Sequence, residues 1–348
     1  MEDKKKNGWW LATAVAVGAV TAYTVWGKPK QKYSFQDKIV LITGGSRGLG
    51  LVLARTFARE GAKIAICARD GEELNRAKDD LQNRGAEVLE VVCDVRNQNE
   101  VNQMIEKVCN HYGRIDVLVN NAGVIQVGPL EVQTKEDFED AMNVHFWGPY
   151  YTMSAIIPKM QERRTGKIVN ISSFGGKVSV PHLAPYCASK FALVGLSSAM
   201  RVELAKDKID VTTICPGLMR TGSHVNAVFK GKNTLEYALF SIGDAFPLAS
   251  ISAESAAKQI VEACRNGDAE AIISIQAEIA AKMNALFPEL VAEISGLVNK
   301  ILPSAGGIGK KHALGKDSTS FISPSFLTAS IDKESYQNNE LKPNEQLT

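Results

Sequence analysis

Between Lys38 and Ile275 the chain repeats one pattern: a short apolar run, a turn, then a longer stretch of helical composition. The runs are Lys38–Thr43, Lys63–Ala68, Val88–Cys93, Ile115–Asn120, Lys167–Ser172, Ile209–Cys215 and Glu270–Ile275. Short runs rich in Val and Ile suit strands buried on both faces. A strand, a helix and a further strand make a crossover unit. The alternation therefore predicts an α/β fold, a parallel sheet with helices on both faces. Residues 218–250 break the rhythm as a long insertion before a helix near Ala253–Arg265.

The remaining segments differ in character. Lys4, Lys5 and Lys6 precede an uncharged run from Trp9 to Trp26, and Lys28, Lys30 and Lys32 follow it. About 18 helical residues reach roughly 27 Å, close to a bilayer core. Trp9, Trp10 and Trp26 stand where interfacial aromatics would sit. Residues 1–35 are expected to be a basic segment with a single retained membrane anchor. A signal peptide is disfavoured because no small-residue cleavage site follows. At the other end, Ile279, Met283, Leu286, Leu290, Ile294, Leu297 and Ile301 keep helical spacing, with Pro288 opening a second helix. Residues 276–302 are expected to pack this stripe on the domain or on a partner subunit. From 304 to 348 Gly, Ser, Asn, Gln and Lys dominate, and a disordered polar tail is expected. The catalytic domain is thus bounded at 36–303.

Composition excludes some classes. A formal charge of +2 gives no electrostatic footprint for nucleic acid. The cysteines, Cys67, Cys93, Cys109, Cys187, Cys215 and Cys264, lack metal-ligand spacing, so no metal site is expected. Buried free thiols suit a reducing compartment and a domain facing the cytoplasm.

Chemistry is written at the ends of the strands. Thr43-Gly44-Gly45-Ser46-Arg47-Gly48-Leu49-Gly50 joins the first run to a helix. Glycines let backbone approach a pyrophosphate, and a helix N-terminus attracts its charge. The loop predicts dinucleotide binding through Gly44, Ser46, Arg47, Gly48, Leu49 and Gly50. NAD sites place an acid at the end of the second strand. Here Ala68 is followed by Arg69, and two guanidiniums, Arg47 and Arg69, suit the 2′-phosphate of NADP(H) over NAD(H). Asp94, with Val95 beside it, follows the third run and could accept from the adenine amino group. Asn120-Asn121-Ala122-Gly123 follows the fourth run, offering Asn120, Ala122 and Gly123. Pro216-Gly217-Leu218-Met219-Arg220-Thr221 follows the sixth, and Thr221 could bond a carboxamide. Tyr186 and Lys190, four apart in a stretch of good helix formers, share one helix face. A phenol beside an ammonium is expected to lose its proton more easily and to serve an alcohol oxygen.

Together these motifs resemble those of the short-chain dehydrogenase/reductase family, in its single-domain branch of about 250 residues. The likeness covers about residues 36–275 and rests on T-G-x-x-x-G-x-G at 43–50, Asp94, N-N-A-G at 120–123, Ser173, Y-x-x-x-K at 186–190 and P-G-x-x-x-T at 216–221. It implies a doubly wound Rossmann fold of seven parallel strands in the order 3-2-1-4-5-6-7. It implies that Tyr186 is the general acid in reduction and the base in oxidation, that Ser173 bonds the substrate oxygen, and that Lys190 contacts the nicotinamide ribose and lowers the phenol pKa. A homodimer or homotetramer is implied as well. One position departs. In Asn143-Val144-His145-Phe146-Trp147-Gly148 the family has asparagine three before the glycine, where this chain has His145. Imidazole could relay a proton there or simply be packed.

The expected activity is NADP(H)-dependent interconversion of a carbonyl and an alcohol. The insertion carries Leu218, Met219, Val225, Phe229, Tyr237, Leu239, Phe240 and Phe246, a flap suited to an apolar molecule. With an anchor, that favours a lipophilic substrate of steroid, retinoid, long-chain acyl or sphingoid type. The competing expectation is an NADP(H)-binding sensor or scaffold without redox turnover.

Overall fold

The structure is a computed structural model that describes residues 33–246, 250–325, 328–342, 345 and 347. Contacts divide the chain into Met1–Tyr33 and Ser34–Thr348, and only the second unit is described below. The apolar run 9–26 lies outside the described residues. Among the described residues no helix is long and apolar enough to cross a membrane.

Seven parallel strands form the central sheet: β1 (Ile39–Thr43), β2 (Lys63–Ala68), β3 (Val88–Val92), β4 (Val117–Asn120), β5 (Gly166–Ile171), β6 (Ile209–Pro216) and β7 (Glu270–Ile273). Their order, β7-β6-β5-β4-β1-β2-β3, is the expected one. The helices in chain order are α1 (Gly48–Arg59), α2 (Gly71–Asn83), α3 (Gln98–Tyr112), α4 (Lys135–Met142), α5 (Gly148–Arg163), α6 (Ala184–Leu204), α7 (Asn233–Ala245), α8 (Ala253–Asn266), α9 (Ile275–Leu286), α10 (Pro288–Ile301) and α11 (Ala329–Gln337). Ile39 and Leu41 of β1 join a core with Met104, Ile105 and Val108 of α3 and Met153, Ile156 and Met160 of α5. Val40 and Ile42, equally buried, alternate to the opposite face, where α1 and α8 pack together. Burial on both faces explains why these runs read as continuous apolar segments.

Local signals set the helix starts. The Asp70 side chain accepts from the Glu73 N–H and caps α2, so this acid beyond Arg69 serves the helix. Asn97 caps α3 in the same way, and Gly113 ends it in the left-handed region at φ 83°. Helix α1 has no side-chain cap, which leaves its first N–H groups for other partners.

One expectation needs correction, and two are narrowed. Much of the C-terminal segment from residue 304 is folded. Ala313–Leu314 pairs with Val228–Phe229, α11 forms, and Ser335, Asn338 and Leu341 are buried. Its small and amide residues pack by hydrogen bonding and close backbone approach, which a low apolar content conceals. The apolar stripe does not lie on the domain either: α10 has no buried residue, and Leu290, Ile294, Leu297 and Ile301 are exposed. The insertion is a partly packed flap, with Val225, Phe229 and Tyr237 buried while Leu218, Leu239 and Phe246 face solvent.

Candidate active site

Strand β5 ends at Ile171, and the two serines after it separate in role. The Ser172 hydroxyl donates to the Lys190 carbonyl 3.0 Å away and is buried, a tie between sheet and helix. Ser173, in extended backbone, accepts from the Gly175 N–H at 3.0 Å and interacts with the Tyr186 hydroxyl. Pro185 sits in the first turn of α6, where its missing N–H costs nothing, and places Tyr186 one residue on. Lys190, one turn later, is buried with its ammonium 5.6 Å from the centre of the Tyr186 ring. Its Nζ donates to the Ile171 carbonyl at 2.9 Å.

Electrostatics here differ from the expectation drawn from the pair alone. Burial pushes the Tyr186 phenol up to about 12, and Ser173 pulls the other way without winning. Burial likewise pulls Lys190 down to about 7. Burial disfavours the charged form of each group and decides both shifts. Asp244 of α7, which carried no sequence signal, also acts on the phenol. Its carboxyl is buried and pushed up to about 7 for that reason, and its charge helps keep the Tyr186 proton in place.

His145 occupies a π-turn, Asn143–Trp147, between α4 and α5. Its Nε2 accepts from the Val124 N–H at 3.1 Å, and Nδ1 faces the Ser189 hydroxyl at 2.7 Å. That hydroxyl donates to the Tyr186 carbonyl at 2.8 Å, so Nδ1 carries the proton and the ring is neutral. Burial and the charge of Lys190 hold the imidazole well below its usual 6.5. The ring stands edge-on to Tyr186 at 5.4 Å between centres. Both nitrogens are engaged, so the histidine buttresses the tyrosine turn and is not placed as a relay.

The glycine loop 43–50 lies at the carboxyl end of β1. A Cβ on Gly50 would collide with the Gly44 carbonyl and the Asn121 amide, so the loop folds on itself only with glycine there. Asn121 donates to the Thr43 carbonyl at 3.0 Å and to the Gly44 carbonyl at 3.1 Å. Ala122 closes against Gly44, and Gly123 lies beneath His145. Asn120, expected at the cofactor, instead has its amide consumed inside the core by Asn170 at 2.8 Å and Thr152 at 2.6 Å. Asp94 is bound by Arg96 at 2.6 Å, and the Arg96 hydrogen bonds outweigh burial to hold its carboxyl below the usual range. Val95 is buried against Gly148. Gly217 packs on Ser274, and Thr221 is buried with its hydroxyl on Ser223 at 2.9 Å.

The two arginines differ. Arg69 is exposed at the end of β2 and close enough to Asp94 to lower its pKa. Arg47 is paired with Glu73 at 2.8 Å and with Glu340 at 3.2 Å, and the Ser46 hydroxyl also bonds Glu73. Glu73 and Glu340 carried no sequence signal that placed them here. The loop fits an anionic dinucleotide. The Gly48 N–H opens α1, and the space beside its bare Cα already receives an anionic oxygen, the Glu340 carboxylate.

The short chain dehydrogenase family profile matches residues 38–230. The chain belongs to this family. As a short-chain dehydrogenase it is 38% identical over 187 residues to a putative ketoacyl reductase of Streptomyces coelicolor, covering 53% of this chain and 72% of that one. It is 34% identical over 232 residues to the dehydrogenase/reductase SDR family protein 7-like of Anopheles gambiae, covering 63% and 73%. Among solved structures, a short-chain dehydrogenase from Streptomyces avermitilis superposes with a TM-score of 0.66 at 29% identity, over 77% of this chain and 98% of that one. An actinorhodin polyketide ketoreductase variant solved with NADPH gives 0.61 at 30% identity, over 69% and 95%.

Proposed function

We propose that this short-chain dehydrogenase uses NADP(H) to interconvert a carbonyl and an alcohol on a lipophilic substrate. The observation that carries the reading is the meeting of Ser173, Tyr186 and Lys190 at the carboxyl end of β5. The loop 43–50 would hold the pyrophosphate and Arg69 the 2′-phosphate, and the bound cofactor supplies the hydride. The protein's own work is positioning and proton handling. Ser173 and Tyr186 offer two hydroxyls to a carbonyl oxygen, and charge growing there is met by donors that need no reorganisation. With its pKa at about 12, Tyr186 enters reduction carrying the proton that the alkoxide needs. Lys190, poised at about 7, can pass through both charge states near neutral pH.

Two features support an apolar substrate. Leu218, Leu239 and Phe246 of the flap are exposed. A cavity of about 950 Å³, lined by Leu130, Phe138, Val180, Ala184, Cys187 and Phe191 among others, flanks the helix turn that bears Tyr186. NADP(H) is supported by Arg69 and by the NADPH bound to the ketoreductase relative. We further propose that the run 9–26 holds the enzyme at a membrane with this domain on the cytoplasmic side. A panel of lipophilic and small polar carbonyls, assayed with NADPH and NADH in parallel, tests the reading. Turnover of apolar carbonyls with NADPH is expected, and turnover of small polar carbonyls alone would refute the substrate class.

A further inference from the structure

The C-terminal segment lies along the cofactor-binding edge. The Gly48 N–H, first in α1, donates to the Asn338 carbonyl at 2.9 Å. The Asn339 amide donates to the Ser46 carbonyl at 2.8 Å and the Glu73 carbonyl at 3.0 Å, and its oxygen accepts from Arg76 at 2.8 Å. Glu340 pairs with Arg47 and accepts from Asn226 at 2.7 Å. Further along, Asn338 donates to the Thr221 carbonyl at 3.3 Å and Ser335 to the Gly222 carbonyl at 3.2 Å. One stretch of chain therefore reaches both the glycine loop, expected at the pyrophosphate, and the Pro216–Thr221 turn, expected at the carboxamide.

These contacts imitate a ligand. A carboxylate at the start of an uncapped helix satisfies the charge preference that a phosphate would satisfy. The Gly48 N–H is spent on a carbonyl, and Arg47 is spent on Glu340 and Glu73. We propose that residues 329–342 are a built-in competitor of the dinucleotide, docked on the glycine loop in one state and displaced from it in the other. This rests on the NADP(H) reading above. The docked contacts are mostly hydrogen bonds, and Ile331 and Leu341 are the buried apolar residues of the segment. Phosphate oxygens offer stronger charge-assisted bonds to the same donors. A docked tail lowers apparent affinity by the fraction of molecules in which it is undocked.

The test uses the full chain, a form ending at Thr328, and a full-length Ser335→Trp wedge. Ser335 is fully buried, with its backbone against Gly222, and leaves no room for an indole. NADPH affinity is read from nucleotide fluorescence, and hydrogen exchange of residues 329–342 is followed in the wild type with and without NADPH. The expected result is a Kd lower by roughly tenfold in the truncated and wedge forms, and faster exchange in 329–342 when NADPH binds, for a tail docked in about nine molecules of ten. Equal or weaker affinity in both variants overturns the proposal. So does protection of 329–342 by NADPH, which would make the segment a clasp over the cofactor. Exchange in the wild type decides the matter even if neither variant folds. Failure of every form to bind NADPH or NADH overturns the cofactor reading itself.

Discussion

The two ends of the site are built from the same sheet edge yet stand in different states. At the proposed catalytic end, Ser173 and Tyr186 interact with each other and are held by near neighbours: Ser172 ties β5 to α6, and His145 and Ser189 brace the tyrosine turn. At the nucleotide end the donors are taken. The Gly48 N–H and Arg47 bond the chain's own C-terminus, and the Thr221 carbonyl accepts from the Asn338 amide of the same segment. Motif spacing locates donors equally well in both places. It does not say whether a donor is available, because that depends on residues more than a hundred positions away.

The sharpest way to separate the ends is to remove the phenol. Tyr186→Phe should lower kcat by about 10³-fold while NADPH affinity stays within about twofold, since general acid–base groups contribute 10²–10⁴. A parallel loss of nucleotide affinity would show that the ends are not independent. The pH dependence follows from the raised phenol. Tyr186 keeps its proton up to about 12, so carbonyl reduction should show no loss from this group up to pH 9, whereas alcohol oxidation, which needs the phenolate, should rise with pH. A reduction rate that falls with a phenol-like titration below pH 9 would contradict that burial.

Lys190→Met should cost about 10²-fold in turnover, and its stability effect has a defined sign. The folded pKa is lowered from 10.5 to about 7. The lysine's contribution to stability is thus full above pH 10.5 and is lost as pH falls towards 7. Methionine has no such loss, so the melting temperature of the variant relative to wild type should improve on going from pH 10 to pH 7. A difference independent of pH would mean that Lys190 is solvated.

The nucleotide end supplies the next effect. Arg69→Ala should reduce the preference for NADPH over NADH by about tenfold, the worth of one charge-assisted bond of about 1.4 kcal/mol. Arg47→Ala should change it less, because Glu73 already neutralises that guanidinium. The reverse ranking, measured as Kd ratios, would transfer the 2′-phosphate to Arg47.

Much of this arrangement was legible in the sequence, for physical reasons. Seven buried strands announce themselves because parallel strands are apolar on both faces, and their order followed from the family. The structure brings Ser173, Tyr186 and Lys190 together, and helix geometry fixes the spacing of the last two. Three things were hidden. Asn120 has the right residue type but spends its amide on Asn170 and Thr152. The phenol was expected to acidify, and burial decided otherwise. The tail looked disordered because Ser335, Asn338 and Asn339 stabilise it through polar contacts across the fold, which composition does not reveal.

His145 gives the smallest expected effect on rate and tests how the catalytic end is braced. Both ring nitrogens are engaged and the ring is neutral, so His145→Asn should leave the position of the pH–rate profile unchanged and alter kcat by no more than about threefold. The cost falls on stability, about 1–3 kcal/mol at pH 8, if the shorter amide leaves the Val124 N–H or the Ser189 hydroxyl without its partner. The imidazole's folded pKa lies well below 6.5. Its contribution to stability is therefore full above pH 6.5 and is lost as pH falls below that value, when the unfolded chain takes up a proton that the folded one refuses. Asparagine does not titrate. The stability gap between wild type and variant should narrow on going from pH 8 to pH 5, and denaturation midpoints at the two pH values measure it. A gap that widens in acid would mean that the folded protein binds the proton, and His145 would then regain its candidacy as the relay from Lys190.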